Sequence, residues 1–237
     1  MKKYIGLFLI SLFFFAISSI PVGLFSTSIN KLNLQITSLE GSVWQGRAYS
    51  SQFGVIDWDF SPLALMYAQF AWEVKTQRQN THQLEFDLGV DIFEQLTLEN
   101  IKGFTTSTFL KELAILPQEI TDFALFDIQP DDLNATWDLD SPSPKPQSLK
   151  GVAQIKKLNI LGKHLGDYRL EFNGTDEQIS TVITAQENAK LQTKLDAVLT
   201  PNKLLSVQGS IQTNHQDIKL LLNDAGIKDS VLLNYQF

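Results

Sequence analysis

Beyond Asn30 the dominant period of the chain is two. Leu32, Leu34 and Ile36 alternate with polar residues, and Ile56, Trp58 and Phe60 alternate with Asp57 and Asp59. Phe70, Trp72 and Val74 are interleaved with Ala71, Glu73 and Lys75. Leu84, Phe86, Leu88 and Val90 are interleaved with Glu85, Asp87 and Gly89, and Leu96 and Leu98 with Thr97 and Glu99. Successive side chains of a strand point to opposite faces. The pattern therefore describes strands with one apolar face and one wet face, as in antiparallel sheets. Further strands are expected at 123–128, 133–139, 152–158, 165–172, 179–185, 191–199, 204–213 and 231–237. The stretch 39–65 reads as the first hairpin of this all-β region, followed by a Ser-Pro break.

Three segments leave the period of two. Residues 61–66 read as one or two helical turns, with Ser61 as cap and Pro62 at the first helical position. In 108–116, Phe109, Leu110, Leu113 and Leu116 have helical spacing, ended by Pro117. This helix is expected to cover the sheet or plug one end of it. A last short helix is expected over 220–225. Pro142, Pro144 and Pro146 cannot join a ladder, so 141–146 is a loop that marks a possible sub-boundary, with one sheet expected to continue past it. A weak echo recurs: alternating apolar residues lead into Gly41, Gly103 and Gly209, as hairpin grammar requires or as stacked repeats would.

The N-terminus has a different character. Residues 4–25 carry no charge and follow Lys2 and Lys3. About 20 helical residues cross a ~30 Å hydrocarbon core, and the positive-inside rule puts the N-terminus in the cytoplasm. No A-x-A pattern follows, so the run is read as a retained transmembrane anchor rather than a cleaved signal. Either way the bulk of the chain lies across the membrane. The expected organisation is a cytoplasmic stub and anchor over 1–30 and a periplasmic β domain over 31–237. Setting aside Lys2 and Lys3 leaves 17 basic against 26 acidic residues, a net charge of −9. So acidic a domain repels phosphate backbones, which argues against nucleic acid. Cysteine is absent, which excludes disulfides, thiolate metal sites and cysteine nucleophiles.

Candidate chemistry is sparse. Gly41 to Ala48 has near-P-loop spacing, but Arg47 replaces the lysine, Ala48 replaces the hydroxyl, and no helix pattern follows. His82, His164 and His215 are far apart in sequence and are read as solvent-facing. Asp127, Asp131, Asp132, Asp138 and Asp140 surround Trp137 without EF-hand spacing and read as a solvated loop. Asp57 and Asp59 share a wet strand face. No catalytic residue, cofactor or metal is expected. Trp44, Trp58, Trp72 and Trp137 are each placed in a strand. Of these, Trp44, Trp58 and Trp72, with Phe86, are the candidate packing anchors, or alternatively the lining of an apolar groove.

At the stretch 39–65 the chain resembles the type II secretion system protein N family. The resemblance is carried by an uncharged N-terminal segment and then by Leu39, Gly41, Val43, Trp44, Gly46 and Ala48. Trp58 follows at the end of a strand, and then Ser61, Pro62, Leu63, Ala64 and Leu65. The likeness is specific over the first third and diffuse over the rest. It implies a non-enzymatic, accessory inner-membrane subunit of the apparatus that exports folded proteins from the periplasm across the outer membrane. Its partners would be other secretion subunits, of the inner-membrane platform or the secretin complex. The β-rich part is also similar in style to AsmA-like proteins, whose curved sheets form hydrophobic grooves. The expected fold is mainly β: a single N-terminal transmembrane helix, then a strongly twisted antiparallel sheet, an open half-barrel or groove, with two or three short helices. The alternative function is a periplasmic module that binds lipid or another hydrophobic ligand in such a groove.

Overall fold

A computed structural model describes residues 19–25, 34–113, 122–139, 146–175, 178–200, 204–224 and 230–236. Thirteen strands form one antiparallel sheet: β1 (Ile36–Gly41), β2 (Gln45–Ser50), β3 (Gly54–Phe60), β4 (Gln69–Arg78), β5 (His82–Asp91), β6 (Gln95–Thr106), β7 (Ala124–Asp138), β8 (Ser148–Ile160), β9 (Lys163–Thr175), β10 (Ile179–Ala185), β11 (Gln192–Leu199), β12 (Leu204–Gln212) and β13 (Ser230–Gln236). The spatial order is the sequence order. Each strand pairs with its neighbours in the chain, and β1 and β13 are left as edges. The expected antiparallel, mainly β architecture is what forms, and the sheet stays open.

The register carries the apolar face across the sheet, because cross-strand partners share a face. Leu39 pairs with Ala48, Ala48 with Ile56, Ile56 with Thr76 and Thr76 with Leu84. One step along, Trp58 pairs with Val74 and Val74 with Phe86. The same phase runs on through Leu98, Ala135, Leu149 and Gly174 to Ile179 and Leu199. The opposite face is wet. Arg47 binds Asp57 with two hydrogen bonds, at 2.6 and 3.1 Å, and Lys75 lies 2.7 Å from Glu73 and 3.6 Å from Glu85. Such exposed pairs are worth about 0–1 kcal/mol each, so they mark the face more than they hold the fold.

The meander gives the sheet two unlike ends. The turns β1–β2, β3–β4, β5–β6 and β7–β8 lie at one end, together with a 3₁₀ turn at Val22–Phe25 and another at Pro62–Tyr67. At the other end lie helices α1 (Ser107–Glu112) and α2 (Gln216–Asp224). Thr106 caps α1 by accepting from the Phe109 N–H at 3.2 Å. On α2, Ile218 and Leu222 are four residues apart and so lie on one face of the helix. Both pack against a core of Leu165, Tyr168, Leu191 and Ile211.

Several expectations are corrected. The stretch 39–65 holds two turns and parts of three strands, not one hairpin. Residues 123–128 and 133–139 belong to a single strand, β7. Its pairing shifts register between Asp131 and Asn134, and that irregularity breaks the simple alternation. Ser61 occupies the cap position of its turn without a side-chain cap hydrogen bond. The sheet runs on past the proline-rich segment: Thr136 of β7 pairs with Ser148 of β8. Most of the expected anchor, residues 1–18, and most of 141–146 lie outside the described residues. Among the described residues no helix is long and apolar enough to cross a membrane. The last part of the uncharged run is a 3₁₀ turn packed on the sheet, where Pro21 bridges Ser42 and the Val43 N–H donates to the Ile20 carbonyl at 3.1 Å.

Candidate functional site

On the apolar face of β1–β5 lies a trough of about 540 Å³. Its lining includes Ile36, Leu39, Ile56, Trp58, Trp72 and Phe86, with Val22 contributed by the N-terminal 3₁₀ turn. Thr76 and His82 are the only polar lining residues among the described residues. The volume falls within the range of small-ligand sites. On β8–β12 the same face is covered by α2, where Ile218 is buried. Among the described residues no helix covers the trough itself.

One rim is built on the β1–β2 turn. Ser42 organises that turn: its Oγ accepts from the Trp44 and Gln45 N–H groups at 3.2 Å, and its N–H donates to the Gln45 carbonyl at 2.9 Å. Two tryptophans from neighbouring strands then bind the turn. Trp58 Nε1 donates to the Ser42 carbonyl at 3.1 Å, and Trp72 Nε1 donates to the Val43 carbonyl at 3.0 Å. An indole N–H withdrawn from water needs such a partner, and here both partners are backbone carbonyls of the turn. Gly46 stands opposite Trp58, and a Cβ there would overlap the indole and the Glu40 carbonyl. An aromatic row closes this rim: Trp44 meets Phe60 edge-on at 4.7 Å, Phe60 lies 5.6 Å from Trp72, and Trp72 lies 6.5 Å from Phe70.

The other end is closed by α1. Phe109 is buried and stacks on His82 with ring centroids 4.4 Å apart. Phe53 meets both rings edge-on. Arg78 lies 5.7 Å from the Phe109 ring centroid and forms an ion pair with Glu112 of α1. His82 Nε2 and Thr76 Oγ1 are 2.6 Å apart. Burial, and secondarily the Arg78 charge, push the His82 imidazole down to about 4, so it is neutral at neutral pH.

The expected site residues are thus sorted. Trp58, Trp72 and Phe86 come together in the trough. Trp44 does not join them: it lies in the turn between β1 and β2, not in a strand, and packs on Phe60 at the rim. Leu39 and Ala48 line the trough, Gly41 and Gly46 border the turn, and Ser61, Pro62 and Leu63 form the exposed β3–β4 connection. His82 is buried, contrary to the solvent-facing reading of the histidines, whereas His164 and His215 are exposed. Among the described residues no three His, Asp or Glu side chains are grouped to hold a metal ion. Asp57 sits on the wet face with Arg47. In the acidic cluster, Asp127 binds Lys157 at 3.2 Å and Asp138 accepts from Gln147 at 3.3 Å. Sequence reasoning missed Val22 and His82 as trough residues, whereas the helix that carries Phe109 was expected to cover the sheet or plug one end. The signal for His82 was present, since it stands in phase with Leu84, Phe86 and Leu88.

The chain is therefore an open all-β sheet protein with an apolar trough at its N-terminal strands. It belongs to the type II secretion system (T2SS) protein N family, whose model matches residues 32–230, from just before β1 to the first residue of β13. Neither curated proteins nor solved structures give a match.

Proposed function

We propose that this chain is an accessory inner-membrane subunit of the type II secretion apparatus. A single N-terminal helix anchors it with the N-terminus in the cytoplasm, and the sheet stands in the periplasm. It supports export of folded proteins across the outer membrane by protein–protein contact, without catalysis of its own. The carrying observation is the family match, which spans nearly the whole sheet. The open edges supply the means of contact: β1 and β13 each present a row of backbone N–H and C=O groups to which a partner strand can add. In-cell photo-crosslinking from Glu40 on β1 and from Leu232 on β13 tests the reading. Capture of platform or secretin-complex subunits supports it, and capture of lipid alone overturns it.

A second reading rests on the trough, which the side chains of the described residues do not fill. On this reading the chain is an AsmA-like module that holds a lipid or another hydrophobic ligand against Trp58, Trp72 and Phe86. Mass spectrometry of ligands extracted from the purified full chain decides it. Lipid recovered in proportion to protein, and reduced in a Phe86→Asp variant, supports binding. Lipid recovered equally from both proteins removes it.

A further inference from the structure

Most of the large apolar side chains left exposed among the described residues lie at one end of the sheet, with Tyr49, Phe123, Leu125, Leu161 and Leu220 at the other. On the β3–β4 connection Leu63, Leu65, Met66 and Tyr67 are 69%, 49%, 80% and 83% exposed, and on the β5–β6 turn Ile92 and Phe93 are 64% and 76% exposed. Between Asp59 and Glu73 the sequence has no charged residue. On the β5–β6 turn the Asp91 carboxylate folds back to accept from the Phe93 and Gln95 N–H groups, at 2.8 and 2.9 Å, so the turn presents Ile92 and Phe93 with Glu94 as its one charged residue.

This is also the end at which the uncharged run 4–25 meets the sheet. Pro21 bridges Ser42 of the β1–β2 turn, and Leu24, in the same 3₁₀ turn as Val22, is 74% exposed. With strands about 4.8 Å apart, the β3–β4 tip lies ~10 Å along the sheet from the point where the run leaves it, and the β5–β6 tip ~20 Å. Isolated exposed apolar residues need no explanation, but a row of apolar tips beside an apolar run does.

We propose that this end of the sheet rests on the outer leaflet of the membrane that carries the anchor. Leu63, Met66, Tyr67, Ile92 and Phe93 dip into the headgroup boundary. Tyr67 is suited to that layer, having an apolar ring and a polar tip. The charges nearest the tips are acidic: Asp59, Glu73, Asp91 and Glu94. The contact is therefore apolar insertion into zwitterionic lipid, not attraction to anionic headgroups, and it is insensitive to salt. The mouth of the trough, at Val22, Val43 and Trp72, then faces the lipid.

The proposal rests on the anchor reading, and the test separates the two. Because the chain has no cysteine, single-site labelling needs no background removal. Full-length Leu63→Cys, Met66→Cys and Phe93→Cys are labelled with an environment-sensitive fluorophore and reconstituted in phosphatidylcholine vesicles containing headgroup-proximal spin-labelled lipid. Leu161→Cys is the control. It is 60% exposed at the opposite end of the strands, about 30 Å away for ten residues of strand. Quenching several-fold stronger at all three tips than at Leu161, and unchanged by high salt, is the expected result. Equal quenching at tips and control, in vesicles that carry the chain through flotation, overturns the proposal and leaves the anchor standing. Loss of the chain from the floating fraction overturns both.

Discussion

The Trp58 indole occupies the space that a side chain at Gly46 would need. The two residues are cross-strand partners on β2 and β3, and the ring passes over the glycine to reach the Ser42 carbonyl. The Gly-x-Val-Trp-x-Gly spacing of Gly41 to Gly46 thus has a mechanical meaning. It leaves room for an indole to hold the turn between the two glycines.

Gly46→Ala is expected to destabilise the chain by about 1–3 kcal/mol, because the new methyl meets both a ring and a backbone carbonyl. Gly23 is the matched control, since a Cβ there meets nothing within 4 Å. Thermal unfolding of the full chain in detergent, followed by tryptophan emission, checks both. An unchanged midpoint for Gly46→Ala would refute the packing argument.

Trp72→Phe removes the hydrogen bond to the Val43 carbonyl while keeping most of the ring. A loss of about 1–2 kcal/mol is expected, and the same holds for Trp58→Phe at Ser42. Both indoles hold one turn, so the double variant is expected to depart from additivity by about 0.5 kcal/mol or more. A strictly additive double-mutant cycle in urea would mean that the two bonds act separately.

The strands were legible because alternation and register are one signal. Once Ile56, Trp58 and Phe60 share a face, their partners on β4 and β5 must share it too. Helix α1 was legible from Phe109 and Leu110, though it ends at Glu112 and not at Leu116. What alternation could not supply was depth. It groups Trp58, Trp72 and Phe86, but it cannot tell a filled face from an open one, because that depends on where α1 and α2 lie. Trp44 was misplaced for a local reason: the Ser42 hydroxyl bonds the backbone of the next residues and makes a turn where an apolar Val-Trp pair suggests strand. His82 was misjudged because residue type was weighed above phase.

Phe109 should matter far more than its six-residue helix suggests. It is buried against His82 and Phe53, so Phe109→Ala is expected to cost about 3–5 kcal/mol and to open the α1 end of the trough. Leu65→Ala, half-exposed on the β3–β4 connection, is expected to change stability by no more than about 0.5 kcal/mol. Chemical denaturation of the two variants side by side tests the contrast. Comparable losses would contradict the assignment of α1 as the plug.

His82 sets an acid limit on this end of the fold. Its imidazole is pushed down from 6.5 to about 4 by burial, with the Arg78 charge adding to the effect. The unfolded chain therefore takes up a proton at His82 before the folded chain does. Stability rises with pH wherever the unfolded state binds more protons, so the His82 contribution is intact above pH 6.5 and is lost as pH falls from there towards 4. Over the whole window the loss amounts to about 3 kcal/mol. Glu73 and Asp167 also titrate abnormally, Glu73 chiefly through its hydrogen bond to Lys75. Asp167 is held down by hydrogen bonds from Lys157, Asn188 and Lys156 against the opposing effect of burial. Both lie below their ordinary values of 4.5 and 3.8, so their contributions change only at the acid end of the range. Among the described residues, His82 carries the large shift that acts between pH 6.5 and 4.5. In urea titrations across that interval, His82→Gln is expected to flatten the pH dependence while lowering stability at pH 7, because Thr76 loses its imidazole partner. A wild-type profile already flat over the interval would show that the imidazole titrates at its ordinary value and that α1 does not shield it.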